Sequence, residues 1–137
     1  MKYYAVIDTN VVVSAMLNWD SVPGNIVKFA FSDIIIPVFN EDILTEYRTV
    51  LLRPKFGLNE ELVNKIIDSF TIHGLSIEAK DVEADFPDSK VAVFYQVTMA
   101  KIETDSTYLI TGNIKHFPTK PFVVTPREML DIILADS

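Results

Sequence analysis

Short apolar runs alternate with amphipathic stretches along the whole chain. Apolar runs of three to five residues that are bounded by turn-forming residues are typical of strands buried on both faces. This pattern predicts strands at residues 4–7, 33–37, 75–78, 107–111 and 122–124. The stretches between them have helical periodicity or helix start signals. They predict helices over 11–17, 40–52, 59–73 and 91–102, and two further helices that begin at residues 21 and 126.

Several of these helices have specific start signals. Asn40 and Asn59 are of the type that caps a helix N-terminus, and Thr125 with Glu128 forms a capping box. The helix after Asn59 is predicted to bury one apolar stripe, formed by Leu62, Ile66, Ile67 and Phe70. The segment 91–102 is apolar nearly all round a helical wheel, which indicates a buried helix.

The order of these elements predicts an α/β fold. Strands that alternate with helices form a central, mostly parallel sheet with helices on both faces, and 137 residues suit a single domain over 1–137. Ligand sites in such sheets lie beyond the carboxyl ends of the strands, here after Ile7 and after Ile110. The clearest loop, 78–88, is strongly acidic and contains Glu78, Asp81, Glu83, Asp85 and Asp88.

The amino-acid composition excludes some kinds of binding site and favours others. The chain has no cysteine, which excludes disulfides and thiolate metal sites and favours a reducing compartment. Asp8 places a charge too early for a signal peptide, and no apolar run reaches the roughly 20 residues of a membrane span, so we expect a cytoplasmic protein. The net charge of −7 opposes binding to nucleic acid, so a phosphate substrate would require a divalent cation.

Four polar residues are candidates for a site, and each has an ordinary structural alternative. Asp8 follows the first strand, where it is either a helix cap or a ligand. Glu46 lies at the edge of the apolar stripe of its helix, either as a solvated edge residue or as a ligand. Asp88 precedes the buried helix as a cap or a ligand, and Asn113 follows the fourth strand in a turn. We expect neither His73 nor His116 to be a ligand.

Taken together, these residues predict one oxygen-only site. Carboxylates and carboxamides after the first strand, on an adjoining helix, before the buried helix and after the fourth strand are suited to Mg²⁺ or Mn²⁺. Such an ion would orient water against a phosphodiester and offset the developing charge.

At this point the chain resembles a known family, the PIN domains, which are metal-dependent ribonucleases. The resemblance is carried by VIDTNVVVSA at 6–15, ILTEYR at 43–48, RPKF at 53–56, FYQV at 94–97 and LITGNIKHFP at 109–118. It is strongest to the toxin components of bacterial toxin–antitoxin pairs. It implies a three-layer α/β sandwich, a homodimer, an RNA substrate and an antitoxin partner. It also implies that Asp8 and Glu46 match the first two family acids and that Asn113 stands at the fourth.

One departure from the family pattern affects the expected activity. Relatives usually carry an aspartate in the first turn of the buried helix, where this chain has Val91, and a glutamate where it has Gln96. Asp88, three residues before Val91, matches another acid of that loop. The predicted metal ligands are therefore Asp8, Glu46 and Asp88, in a site that is weaker than usual.

Three other functions remain as alternatives. The first is a catalytically silent PIN-like protein that binds a partner, and Val91 favours it. The second is a haloacid-dehalogenase-like phosphatase, which would need an aspartate where Asn10 stands. The third is a response-regulator receiver, which is disfavoured because the paired acids are missing. For the ribonuclease, the candidates to hold the RNA backbone are Arg48, Arg53, Lys90 and Lys115.

Overall fold

The fold is known from a computed structural model that describes residues 2–79, 82, 86 and 89–136. The strands are β1 (Tyr3–Ile7), β2 (Ile35–Phe39), β3 (Leu75–Ser76), β4 (Thr107–Ile110) and β5 (Val123–Val124). The helices are α1 (Thr9–Leu17), α2 (Val22–Phe31), α3 (Glu41–Leu51), α4 (Glu60–His73), α5 (Ser89–Ile102) and α6 (Pro126–Ala135). Single 3₁₀ turns lie at Pro54–Phe56 and Ile114–His116.

The five strands form one parallel sheet in the order β3-β2-β1-β4-β5, which confirms the predicted α/β class. The central strand β1 pairs with β2 on one side and with β4 on the other, where Ile7 lies opposite Ile110. The chain therefore adds β2 and β3 on one side of β1, and later adds β4 and β5 on the other side. The end of β1 is thus the topological switch point, where α/β proteins place their ligand sites.

The helices cover the sheet and bury β1. Helix α5 packs on β1, β2 and β4, whereas α2 packs on β2 and contacts α1, α4 and α6. Three consecutive residues of β1, Ala5 to Ile7, are completely buried, which is why the strand reads as a continuous apolar run. No helix within the described residues is long and apolar enough to cross a membrane.

One detail of the predicted core is wrong, and one buried residue was not predicted. On α4 the side chain that faces the core is Val63, which is completely buried, while Leu62 is 40% exposed. Val63, Ile67 and Phe70 are spaced by four and three residues, so they share one face, from which Leu62 is rotated away. On α5 the buried face includes a lysine, Lys101, whose ammonium lies over the Tyr4 ring at 4.2 Å and donates to Asp105 at 2.6 Å.

Candidate functional site

Asp8 lies at the carboxyl end of the central strand and begins α1. Its backbone N–H donates to the Ile110 carbonyl at 2.9 Å, which extends the sheet by one hydrogen bond beyond Ile7. Its carboxylate Oδ1 accepts the Thr9 N–H at 2.8 Å and so caps the helix. The capping role and the predicted position at the sheet edge are therefore combined in one residue.

The turn after β4 is hydrogen bonded to the same carboxylate. The buried Thr111 hydroxyl donates to Asp8 Oδ2 at 2.7 Å and accepts the Asn113 N–H at 3.0 Å. Asn10 Oδ1 accepts the Gly112 N–H at 3.1 Å. The two chain segments that follow β1 and β4 are thus fixed to each other, and Asp8 has little freedom to rotate.

Glu46 reaches the site from α3. Its side chain is 18% exposed, and its Oε2 lies 3.9 Å from Nζ of Lys90 in the first turn of α5. The carboxylate therefore sits at the boundary of the core with a solvent-exposed lysine as its ion-pair partner.

Asp8 and Glu46 line one cavity of about 270 Å³. The residues around it are Asp8, Thr9, Glu46, Arg53, Lys90, Val91 and Phe94. The wall thus combines two carboxylates, two cations, a hydroxyl and two apolar side chains. The Thr9 hydroxyl is buried and has no hydrogen-bond partner among the described residues.

Burial dominates the electrostatics of Asp8. Removal from water raises the pKa of its carboxyl above the ordinary value, and the charge of Glu46 adds a smaller increase. Hydrogen bonds from Thr111 and Thr9 and the nearby His116 oppose that rise. These interactions do not fully offset the effect of burial on the Asp8 carboxylate, so its pKa stays raised. Perturbed pKa values of this kind are common for functional carboxylates.

Other candidates lie around this cavity or away from it. Asn113 lines a cavity of about 280 Å³ together with Asn10 and Ser14, and its amide nitrogen lies 3.0 Å from His116 Nε2. Gln96 lines a larger cavity of about 440 Å³ whose wall also includes Glu46 and Lys90. Asp88 lies outside the described residues.

Two of the basic candidates do not line the Asp8–Glu46 cavity. Arg48 is engaged on α4, where it donates to Glu60 at 2.9 Å and also contacts Asn64. Lys115 lines a separate cavity with Phe117 and Lys120. Arg53 and Lys90 are the two basic candidates that line the cavity itself.

Comparison with known proteins identifies the family. A sequence profile of the PIN domain matches residues 4–115, which is more than half of the chain. The chain belongs to the PIN domain family. Members are generally nucleases and usually use divalent metal ions. An uncharacterized protein of Methanocaldococcus jannaschii is 25% identical over 147 aligned positions, which cover 96% of this PIN domain and 92% of the relative. No solved structure matches at a significant level.

The donors in the cavity fit a divalent cation of the Mg²⁺ type. Asp8 and Glu46 offer carboxylate oxygens and Thr9 a buried hydroxyl, which are the hard ligands that such ions prefer. Within 2–79, 82, 86 and 89–136, no cluster of three or more acidic or histidine side chains is arranged to hold a metal. Mg²⁺ commonly uses only one or two protein carboxylates and keeps several waters, so two suffice for a weak site.

The residues that hold Asp8 in place are not predicted by the sequence pattern. Thr111 is completely buried and supports Asp8 from the end of β4, a polar side chain at the last position of an apolar run. His116 is not expected to be a ligand, yet its charge is close enough to lower the pKa of Asp8. The only sequence signal for either was its place within LITGNIKHF, beyond the carboxyl end of a strand.

Proposed function

We propose that this PIN domain is a metal-dependent endoribonuclease and the toxin of a toxin–antitoxin pair. One observation carries the proposal: two carboxylates from different elements, Asp8 and Glu46, line a single cavity at the switch point of a parallel sheet. A bound Mg²⁺ or Mn²⁺ would lower the pKa of a coordinated water and neutralise phosphate charge. Asp8 and Glu46 would hold the ion, with Asp88 as a third ligand.

The other groups of the cavity suit the binding of an RNA phosphodiester. Arg53 and Lys90 supply local positive charge in a chain whose net charge is −7. Thr111 fixes one oxygen of Asp8, and Asn113 fixes Thr111 through its backbone N–H, so we assign Asn113 a role in aligning Asp8 and bound water. Phe94 closes the wall with an apolar surface that limits access of bulk water.

The remaining features of the proposal rest on length and composition for the domain and the location, and on the family resemblance for the homodimer and the antitoxin. We infer that residues 1–137 act as one domain, that the chain works as a cytoplasmic homodimer, and that a cognate antitoxin protein restrains it.

Calorimetric titration with Mn²⁺ tests the metal site. Wild type should bind Mn²⁺ weakly, and Asp8→Ala and Glu46→Ala should each lower the affinity by at least about tenfold. Glu41→Gln is the matched control, because Glu41 is an exposed acid in the first turn of the same helix. Equal affinities in wild type and both alanine variants would refute the assignment.

A second candidate function is a catalytically silent PIN-like protein that acts as a binding module. It is favoured by Val91, which lines the cavity with an apolar side chain, and by Lys90, whose ammonium already faces Glu46. The two functions differ in one measurement, which is RNA cleavage by purified wild type above the level of an Asp8→Ala blank.

A further inference from the structure

Tyr47 follows Glu46 on α3 and is almost completely buried, with 1% of its surface exposed. Its ring lies 5.1 Å from the Phe70 ring and 6.4 Å from the Phe94 ring, measured between centroids. Its hydroxyl donates to the carbonyl oxygen of Ile7 at 2.5 Å. A single side chain of α3 is therefore bonded to the last residue of the central strand.

The Ile7 carbonyl needs this donor because of where the sheet pairing ends. The Asp8 N–H points to β4, where it bonds Ile110, and in a trans peptide the preceding carbonyl points the opposite way, towards β2. The pairing of β1 with β2 runs from Tyr3–Ile35 to Ala5–Pro37 and stops short of Ile7. The Tyr47 hydroxyl thus takes the place of a ladder donor, and a buried carbonyl without one would be costly.

The two residues joined by this bond are the sequence neighbours of the two candidate ligands. Ile7 precedes Asp8, and Glu46 precedes Tyr47. We propose that Tyr47 is a positioning residue that fixes the separation of the Asp8 and Glu46 carboxylates by bonding α3 to the end of β1. The inference rests on the proposed function in treating those carboxylates as ligands of a divalent cation.

The hydroxyl is suited to a permanent bond. Burial, and to a smaller extent the charge of Asp8, raise the pKa of Tyr47 well above its ordinary value. A neutral hydroxyl is the form that donates to the Ile7 carbonyl.

A purely structural role is the competing explanation, and Tyr3 provides its matched control. Tyr3 lies at the opposite end of the same strand, is 9% exposed, and donates its hydroxyl to the Asp136 carboxylate. Tyr47→Phe and Tyr3→Phe each remove one hydroxyl and one hydrogen bond and keep the ring. Both should lower the melting temperature, but only Tyr47→Phe should change the geometry of the site.

Mn²⁺ affinity, measured by calorimetry, separates the two explanations. Tyr47→Phe should bind Mn²⁺ about tenfold more weakly than wild type, as is usual when a residue that orients a metal ligand is lost. Tyr3→Phe should bind like wild type. If Tyr47→Phe is partly unfolded, all titrations are repeated in sucrose, which favours the compact state.

A metal-free measurement tests whether Tyr47 sets the separation of the two carboxylates, whether or not they bind a metal. A double-mutant cycle of Asp8→Asn and Glu46→Gln, followed by urea unfolding in a chelator, reports the repulsion between the two carboxylates. That coupling should be smaller in the Tyr47→Phe background. If wild type binds no Mn²⁺ through Asp8 and Glu46, the proposed function fails. The double-mutant cycle alone then tests whether Tyr47 positions the two carboxylates. Unchanged coupling, or in a metal-binding wild type an unchanged Mn²⁺ affinity, would overturn the inference.

Discussion

Asp8 combines several constraints on one side chain. It caps α1, extends the hydrogen bonding of β1 to β4, and accepts the Thr111 hydroxyl, all while largely buried. Local capping alone would not require burial, because caps are as effective at the surface. The burial costs folding free energy that is expected to be repaid in function.

The first prediction is that Asp8→Asn stabilises the metal-free protein at neutral pH. Asparagine keeps the shape, and its single oxygen can still cap the helix. Its amide nitrogen can donate to the Thr111 oxygen in place of the bond that Thr111 now donates, and the side chain carries no charge to desolvate. Removing a buried site charge should raise the free energy of unfolding by about 0.5–2 kcal/mol.

The pH dependence of this gain has a definite sign. Because the pKa of Asp8 is raised on folding, the folded state binds more protons than the unfolded state between the two values. Wild-type stability therefore falls as the pH rises from about 4 through the raised pKa. Urea unfolding over a pH series should show the gap between the proteins closing below about pH 4. A gap that does not vary with pH would contradict this account.

The second prediction concerns Val91. It lies in the first turn of α5, where the helix dipole favours a carboxylate by about 0.3–1 kcal/mol, and it lines the cavity of Asp8 and Glu46. Val91→Asp should therefore raise Mn²⁺ affinity and RNA cleavage together. Both proteins are prepared identically, with Asp8→Ala as the blank for contaminating ribonuclease.

The outcomes of this comparison are distinct. If wild type already cleaves RNA at a rate that Val91→Asp does not improve, Asp88 is the working third acid. If neither protein cleaves above the blank, the silent binding module becomes the better account.

At the scale of elements, the two ends of α5 serve different purposes. Lys90 and Val91 in its first turn line the cavity, whereas Lys101 in its last turn packs against Tyr4 of β1. Lys101 contacts the Tyr4 ring and bonds Thr104 and Asp105, so the ammonium is almost buried but well provided with partners. A cation at a helix C-terminus is also favoured by the dipole. The helix is thus anchored at the end that is remote from the site.

The third prediction is that Lys101→Met lowers the melting temperature by about 3–6 °C at neutral pH. The hydrogen bond from Lys101 is the main reason that the pKa of Asp105 is lowered. Its stabilising effect is present above the unfolded pKa and is lost as the pH falls through the folded value. The difference between wild type and variant should therefore narrow in acid.

Lys65→Met is the control for Lys101→Met. Lys65 pairs with Glu61 at 3.6 Å on the surface of α4, where its side chain is 71% exposed. Exposed ion pairs contribute little, so this variant should melt close to wild type. Equal melting temperatures for all three proteins would show that Lys101 does not anchor α5.

At the scale of the whole molecule, the net negative charge opposes the RNA binding that the proposed function requires. A net charge of −7 repels RNA, and the cavity adds two carboxylates that are compensated locally by Arg53 and Lys90. A bound divalent cation would add positive charge to the cavity and so favour binding of the RNA phosphate.

The fourth prediction is that RNA affinity depends on divalent ions. Binding should be poor in a chelator, should improve on addition of Mg²⁺, and should weaken as monovalent salt is raised. Filter-binding titrations with a single-stranded RNA measure each dependence, and Ca²⁺ in place of Mg²⁺ allows binding to be followed if cleavage interferes. Tight binding in the chelator would contradict the prediction and indicate a basic groove.

The sequence by itself determined the class of fold and the order of its elements. The caps at Asn40, Asn59 and Thr125 occur where they were predicted, because a cap depends on hydrogen bonds to residues two or three positions away. Apolar runs identified β1, β2 and β4, because burial on both faces permits few polar residues. The prediction of a strand at 75–78 is confirmed only for Leu75–Ser76, and both residues of this strand are exposed. The position of Asp8 at the edge of the sheet followed from the end of β1 and from the rule for parallel sheets.

Only the tertiary structure decided which side chains meet. Asp8, Glu46 and Lys90 come from three parts of the chain, and their common cavity depends on how α5 packs on β1 and how α3 packs on α1 and α5. The bonds from Thr111 to Asp8 and from Tyr47 to Ile7 join residues far apart in the chain, so no local pattern encodes them. Lys101 is buried although lysine normally is not, because an aromatic ring and a carboxylate surround its ammonium. Local periodicity specifies the elements, but packing fixes the helix rotations and separations on which a site depends.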